Sequence, residues 1–250
     1  MENSTARYKA SFEGTDHLTE GRNCLLAISI GKEYHEGAKL AATVELINRR
    51  GFAACTIGIG DTLQRHNTEG VSLGDRYMRA ARSGREWLAR NERVLKSIHA
   101  PVQVVHWDEY LAHPRYLPFQ RDIESAYRLD AGYRDAIEAT IDIFLDRLRG
   151  RDEPFDEIAA AARSRAYILE ECPIIMPLWA EQGHDFILYP QRMSPAMAAT
   201  RRLFVEPTRP DVARWLPIKF KRKSGVPAAE GSLQDAPVPE PVSGSLWGNA

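Results

Sequence analysis

The side chains in this sequence best suited to covalent chemistry are a serine, two tyrosines and a glutamate. Ser29 lies one residue before the end of the apolar run Asn23 to Ile30 (NCLLAISI), which leads through Gly31 to a helical pattern that begins at Gly37. A serine at the carboxyl end of a buried strand has its hydroxyl aimed into a cleft near the next helix N-terminus. Partial positive charge there favours an oxyanion or an acyl ester. The same position suits a serine that only caps the helix, so Ser29 by itself leaves both roles open. Tyr167 and Glu171 are four residues apart in YILEECP and share a helix face. Such a phenol and carboxylate can hold a primary ammonium between them. Glu171 precedes the apolar stretch Pro173 to Trp179, so burial is expected to raise its pKa toward that of a general base. The alternative is a packed tyrosine and a glutamate solvated at a helix end. Tyr189, followed by Pro190, ends the short apolar run FILY.

A second kind of chemistry is suggested between Asp75 and Lys96. On a helix advancing about 100° per residue, Arg79, Arg82, Arg85, Arg90, Arg93 and Lys96 fall within an arc of about 140°. Leu73, Tyr77, Ala80, Trp87, Leu88, Val94, Leu95 and Ile98 take a separate arc. Only Glu86 interrupts the cationic side. Like charges at i,i+4 spacing repel, so the stripe suits a polyanion such as a phosphate backbone. An ordinary solvated helix face would have the same pattern. Lys219, Lys221, Arg222 and Lys223 form a second cluster.

The elements that must position these groups follow from the patterning. Apolar segments at Asn23–Ile30, Phe52–Asp61, Pro101–Trp107 and Phe186–Tyr189 alternate with helical patterns at about 37–50, 72–98, 121–149 and 154–172. Strands alternating with helices predict a doubly wound, mostly parallel α/β sheet. In such sheets ligands sit at the carboxyl ends of the strands, where Ser29 falls. The 250 residues, 44% hydrophobic, are enough for a single domain. We expect an N-terminal extension (1–22), a catalytic unit (23–224) and a tail rich in Pro, Ser and Gly (225–250); residues 207–223 read as an irregular peripheral segment. With 33 basic and 34 acidic residues, there is no overall field to attract nucleic acid, so any such contact must be local. Cys24, Cys55 and Cys172 are too far apart for a Cys-x-x-Cys motif and read as small core residues in a reducing compartment. No apolar leader or membrane-spanning run is seen, so a soluble cytoplasmic protein is expected.

Taken together, these residues resemble the cyclodipeptide synthases over about Gly21 to Val205. In that family a serine after the first strand becomes acylated, which Ser29 matches. A tyrosine four residues before a glutamate, followed by Glu-x-Pro, matches Tyr167 and Glu171-Cys172-Pro173. A second tyrosine after a short strand matches Tyr189, and a tyrosine two residues after a proline matches Tyr116 in HPRY. Lys32 and Pro190 stand where one branch of the family has Asn and Gln, and agree with the other branch, marked by Tyr-Pro.

The resemblance implies a Rossmann-like fold similar to the catalytic domain of class I aminoacyl-tRNA synthetases. It implies that aminoacyl groups from two aminoacyl-tRNAs are joined into a cyclic dipeptide through an aminoacyl-serine and a dipeptidyl-enzyme, with no cofactor or metal. Tyr167 and Glu171 would hold the α-amino group. Glu171 would also help deprotonate the amine of the second aminoacyl-tRNA as it attacks the acyl-enzyme, and Tyr189 would pass a proton. Leu25, Ala27, Gly58, Gly60, Trp107, Ile174 and Ile187 would line the first side-chain pocket. The protein would be a monomer or weak dimer whose product is passed to tailoring enzymes.

Three other functions share parts of this pattern. A serine hydrolase would pair Ser29 with Asp61 and one of His66, His99 or His106, but the G-x-S-x-G elbow is absent. A non-catalytic tRNA-binding protein would need the cationic stripe and not Ser29. A redox enzyme would use Gly58-x-Gly60, but Leu63 replaces the third glycine of the dinucleotide motif.

Overall fold

The computed structural model describes residues 8–14, 18–69, 71–151 and 153–223. In chain order the elements are β1 (Tyr8–Phe12), β2 (Asn23–Ser29), α1 (Gly37–Arg49), β3 (Ala54–Gly60), α2 (Leu73–Leu95), β4 (Val102–His106), α3 (Trp107–Leu111), α4 (Tyr116–Leu129), α5 (Ala131–Arg149) and α6 (Glu157–Pro173). A π-helical turn (Ile174–Leu178), α7 (Trp179–Glu181), β5 (Phe186–Tyr189), α8 (Pro195–Phe204) and β6 (Arg214–Arg222) follow. The six strands form one sheet in the order β1-β6-β5-β2-β3-β4, in which only β1 runs antiparallel to its neighbour. This is the mostly parallel α/β architecture that the alternation of patterns predicts.

Central strands of a parallel sheet are buried on both faces and so read as unbroken apolar runs. In β2, Cys24, Leu26 and Ile28 pack under α1 and α2, while Leu25 and Ala27 face the core beneath the later helices. Ser29 therefore ends the strand on the second face, between β3 and β5. The three cysteines are buried and unpaired. Among the described residues, no helix is long and apolar enough to cross a membrane.

Three expectations are corrected. The pattern at 121–149 belongs to two helices. Asp130 ends α4 and caps α5, its side chain accepting from the Tyr133 N–H at 2.8 Å; both helices bury their apolar sides in one core, so the periodicity runs across the break. Helix α6 does not stop at Cys172 either. Proline lacks the N–H that an α-turn needs, and the turn containing Pro177 widens so that the Trp179 N–H reaches the Ile174 carbonyl, five residues back.

Residues 207–223 are not irregular throughout, because Arg214–Arg222 is a strand inside the sheet. Pro217 made a strand unlikely from sequence. It is tolerated because pairing with β5 covers Arg214 to Pro217 and pairing with β1 covers Ile218 to Arg222, so Pro217 sits at the hand-over between the two ladders. The partner strand, β1, comes from within the expected N-terminal extension. The expected tail, 225–250, lies outside the described residues.

Candidate active site

The carboxyl ends of β2 and β5 bring two hydroxyls together. Ser29 Oγ lies 2.9 Å from Tyr189 Oη, and Tyr189 Oη lies 2.9 Å from Tyr34 Oη. Tyr34 and His35 belong to a short 3₁₀ turn, Glu33–His35, ahead of α1. The chain doubles back into that turn at Gly31, whose φ of 80° is a region glycine occupies without strain. The Ser29 N–H donates to His35 Nδ1 at 2.9 Å, and Trp87 Nε1–H of α2 donates to the His35 carbonyl at 3.0 Å. The backbone at Ser29 is thus gripped from the side, and the turn is pinned to the neighbouring helix.

Burial governs the protonation of this cluster. It pushes the His35 imidazole down to about 3, the backbone hydrogen bond at Ser29 opposing only in part. The ring is therefore neutral and free to accept at Nδ1. Burial likewise pushes the Tyr34 phenol up to about 12 and the Tyr189 phenol well above its ordinary value. Ser29, Tyr189 and Tyr34 form a chain of neutral hydroxyls, each able to donate and accept.

The pocket above this chain, about 430 Å³ including the open space at its mouth, is lined by Ser29, Tyr167, Glu171 and Tyr189 together. Three distant parts of the sequence thus meet at one cavity. Tyr167 and Glu171 are both buried on α6. Of the expected side-chain pocket, Ala27, Gly58, Gly60 and Trp107 line the cavity, while Leu25, Ile174 and Ile187 are buried in the adjoining core and do not. Leu25 lies one strand repeat deeper than Ala27, with its side chain over Gly58: a β-carbon at Gly58 would lie 3.4 Å from Leu25 Cδ2. Ile175, turned inward in the π-helical segment, takes the place expected of Ile174. Ile28, Leu63, Gln64, Trp179, Met197 and Trp215 complete the wall, and nothing in their local sequence pattern singles them out.

Tyr116, expected among the catalytic residues, is buried at the start of α4 and is not in the pocket lining. Burial pushes its phenol up, helped by the charge of Glu170. Glu170 itself is the residue that the motif around Tyr167 conceals. Its carboxylate accepts from Arg65 Nη1 at 2.9 Å, from Arg65 Nη2, and from Trp107 Nε1 at 2.9 Å, and it lies 3.0 Å from His66 Nε2. Burial would raise its pKa, but His66 and Arg65 outweigh that and hold it below the usual carboxylate range. Trp107, a wall of the pocket, is fixed by this buried anion.

The histidines do not form a triad with Ser29. His106 Nδ1 pairs with Asp61 Oδ2 at 2.7 Å, but His106 ends β4, two strands from β2, while Ser29 Oγ is bonded to Tyr189. His66 is engaged by Glu170, and the His99 N–H donates to Asn48. Gly58 and Gly60 lie within β3 rather than in a phosphate loop.

On α2 and the residues just after it, all six cations of the stripe are exposed, and Ala80, Trp87, Leu95 and Ile98 are buried. Arg82 pairs with Glu86, Arg90 with Glu36 and Lys96 with Glu92. Among the described residues no ion pair involves Arg79, Arg85 or Arg93. Leu73 and Tyr77, expected on the apolar side, are exposed, and the Tyr77 hydroxyl donates to the Asp108 carboxylate.

No family model matches this sequence, and no curated protein does. Solved structures do. A CDPS from Fluoribacter dumoffii is 34% identical, with 86% of this chain and 99% of that one covered, at a TM-score of 0.82. The chain belongs to the cyclodipeptide synthase family. A cyclodipeptide synthase from Candidatus Glomeribacter gigasporarum, solved bound to Phe-tRNAPhe, shares the fold at 19% identity, with coverage of 86% and 94% and a TM-score of 0.70. So does a Mycobacterium tuberculosis protein of the group related to type I tRNA synthetases, at 16% identity, 88% and 96% coverage and a TM-score of 0.62.

Proposed function

We propose that this synthase is an aminoacyltransferase that takes aminoacyl groups from two aminoacyl-tRNAs and joins them as a 2,5-diketopiperazine, using Ser29 as the covalent carrier. The observation that carries this is the Ser29–Tyr189 hydrogen bond at 2.9 Å inside the pocket that Tyr167 and Glu171 also line. Family membership supports it, as does the relative solved with Phe-tRNAPhe.

In the first step Ser29 Oγ attacks the ester carbonyl, the bond to the tRNA ribose oxygen breaks, and the serine proton passes through Tyr189 to that leaving oxygen. Tyr167 and Glu171 hold the α-ammonium beside the new ester. The balance of atoms reverses one step that the resemblance suggested. If the amine of the second aminoacyl-tRNA attacked the Ser29 ester, the dipeptide would be left on tRNA. A dipeptidyl-enzyme forms only if the amine already on Ser29, deprotonated by Glu171, attacks the second ester and expels the second tRNA. The free amine of the dipeptide then attacks the Ser29 ester, closing the ring and returning the hydroxyl, with Tyr189 supplying the proton.

Tyr116 keeps the catalytic assignment that the resemblance gives it, although it lies outside the pocket lining. Arg79, Arg82, Arg85, Arg90, Arg93 and Lys96 are assigned to the tRNA backbone, and Lys32 and Pro190 to the Tyr-Pro branch. The test is expression in a bacterium with mass spectrometry of the medium. New cyclic dipeptides should appear with the wild-type chain and not with Ser29→Ala; their absence from both, with soluble protein present, would overturn the proposal.

A further inference from the structure

The sheet ends at β4, whose outer side has no partner strand among the described residues. Between that strand and the second half of α2 runs a groove of about 1200 Å³ including its open space, larger than the Ser29 pocket. Leu88, Ile98, Val102 and Val104 are among the residues that line it, and Val102 is 39% exposed. An apolar groove beside an open sheet edge is a place where another segment can pack. Arg85 and Lys96, both members of the α2 stripe, also line it. Lys96 is paired with Glu92, the one acid in the lining, whereas Arg85 and the neighbouring Arg93 have no ion pair among the described residues. The groove therefore suits an occupant that is apolar and acidic together.

The sequence itself holds such a segment. Residues 224–250 include Glu230, Asp235 and Glu240 and no Lys, Arg or His, and their one tryptophan, Trp247, follows directly on Leu246. A tryptophan in a segment otherwise poor in bulky side chains has the make-up of a binding anchor. The reach also fits. Pairing runs in register from Val102 through Cys55, Cys24 and Phe186 to Arg214, eight residues before Arg222 at the end of β6. That end is therefore about 26 Å from Val102 along the strands and, four strand spacings away, about 19 Å across them, a span of about 32 Å. The chain from Arg222 to Trp247 has an r.m.s. length of about 25–30 Å. Effective concentration is greatest when tether length and span match, and for short tethers it is millimolar. A site with a Kd near a millimolar is then about half filled by the tethered segment and left empty by a free partner at micromolar concentration.

We propose that Leu246 and Trp247 dock in the groove between α2 and β4, with Glu240 and the acids before it set against Arg85 and Arg93, so that this segment covers the sheet edge and competes with tRNA for the α2 stripe. The docking stands on the groove and the segment alone. The competition rests on the function proposed above.

Hydrogen exchange read by mass spectrometry tests this by comparing the full chain with its Leu246→Ser/Trp247→Ser variant. Amides of residues 88–98 and of β4 should exchange several-fold faster in the variant, with β2 and β5 unchanged, and the difference should not depend on protein concentration. In a filter assay the variant should bind tRNA about three- to tenfold more tightly, the factor by which docking depletes the binding-competent form. Identical exchange in the two chains would overturn the proposal. So would protection that grows with protein concentration alongside a dimer mass in light scattering, which assigns the groove to a second copy. Faster exchange with unchanged tRNA affinity would overturn the competition and uphold the docking. A chain that binds no tRNA would overturn the function proposed above, and the exchange comparison would still decide the docking.

Discussion

Ser29 Oγ and Tyr189 Oη face each other at 2.9 Å from two adjacent parallel strands, although 160 residues separate them in the chain. The pairing makes Tyr189 the immediate proton partner of the proposed nucleophile. Tyr34, bonded to the far side of Tyr189, extends the chain of hydroxyls by one member, and either phenol of that pair can donate.

Tyr189→Phe should therefore slow aminoacylation of Ser29 by about 10² or more, the usual scale for losing a positioned proton carrier, while leaving tRNA affinity unchanged. Tyr34→Phe keeps the Ser29–Tyr189 contact and should cost less. Single-turnover kinetics with labelled aminoacyl-tRNA measures both, and equal effects would mean that Tyr34 acts on Ser29 by another route.

Glu170 holds Arg65, His66 and Trp107 in a largely buried cluster. Removing one partner of a buried ion pair strands the other, at a cost of about 3–5 kcal/mol. Glu170→Ala should lower stability by that order in urea denaturation. A loss under about 1 kcal/mol would show that Arg65 reaches solvent in the variant.

Gly84 of α2 packs on Asp61 so closely that a β-carbon would lie 2.3 Å from Oδ2 and 2.4 Å from Cβ of the aspartate. Neither α2 nor Asp61 has room to yield, since Asp61 is also bonded to the Thr62 and Trp107 N–H groups and to His106. Gly84→Ala should destabilise by about 1–3 kcal/mol, as overpacking does, although alanine is the better helix former. A thermal melt at or above wild type would contradict this packing.

His35 and His184 are held neutral by burial, with pKa values near 3 and near 4. In the unfolded chain both protonate below about pH 6.5, so between that value and their folded pKa values the unfolded state binds more protons. Stability must then fall as pH drops through this window, by up to about 1.4 kcal/mol per pH unit for each histidine. Urea titrations at pH 7.5 and 5.0 should show the loss. His35→Gln, which keeps an acceptor for the Ser29 N–H, should make the slope shallower.

Charge reversal at Arg82, Arg90 and Arg93 should weaken tRNA binding and flatten its dependence on salt. Unchanged binding in a filter assay would mark the stripe as a solvated face.

What the sequence makes legible is local. Ser29 and Tyr189 end apolar runs that can only be buried strands, and Tyr167 and Glu171 follow from helical spacing. The contributions of Tyr34 and His35 are not legible, because a three-residue turn has no periodicity and gains its role from the fold beside it. Glu170 is hidden for a related reason: next to Glu171 in sequence, it points to a different face, toward Arg65 and His66. Strand β6 is concealed by Pro217 and by lysines alternating with apolar residues, a pattern resolved only once β1 and β5 lie on either side. The family resemblance points to Leu25, Ile174 and Ile187 as pocket wall, but each lies too deep along its element to reach the cavity.

The most direct test of the central claim is intact-protein and peptide mass spectrometry of the enzyme quenched during turnover with aminoacyl-tRNA. The account predicts an aminoacyl adduct on the peptide containing Ser29 that disappears in Ser29→Ala along with product. Cyclic dipeptide formed by Ser29→Ala, or wild-type turnover with no adduct at any quench time, would contradict it.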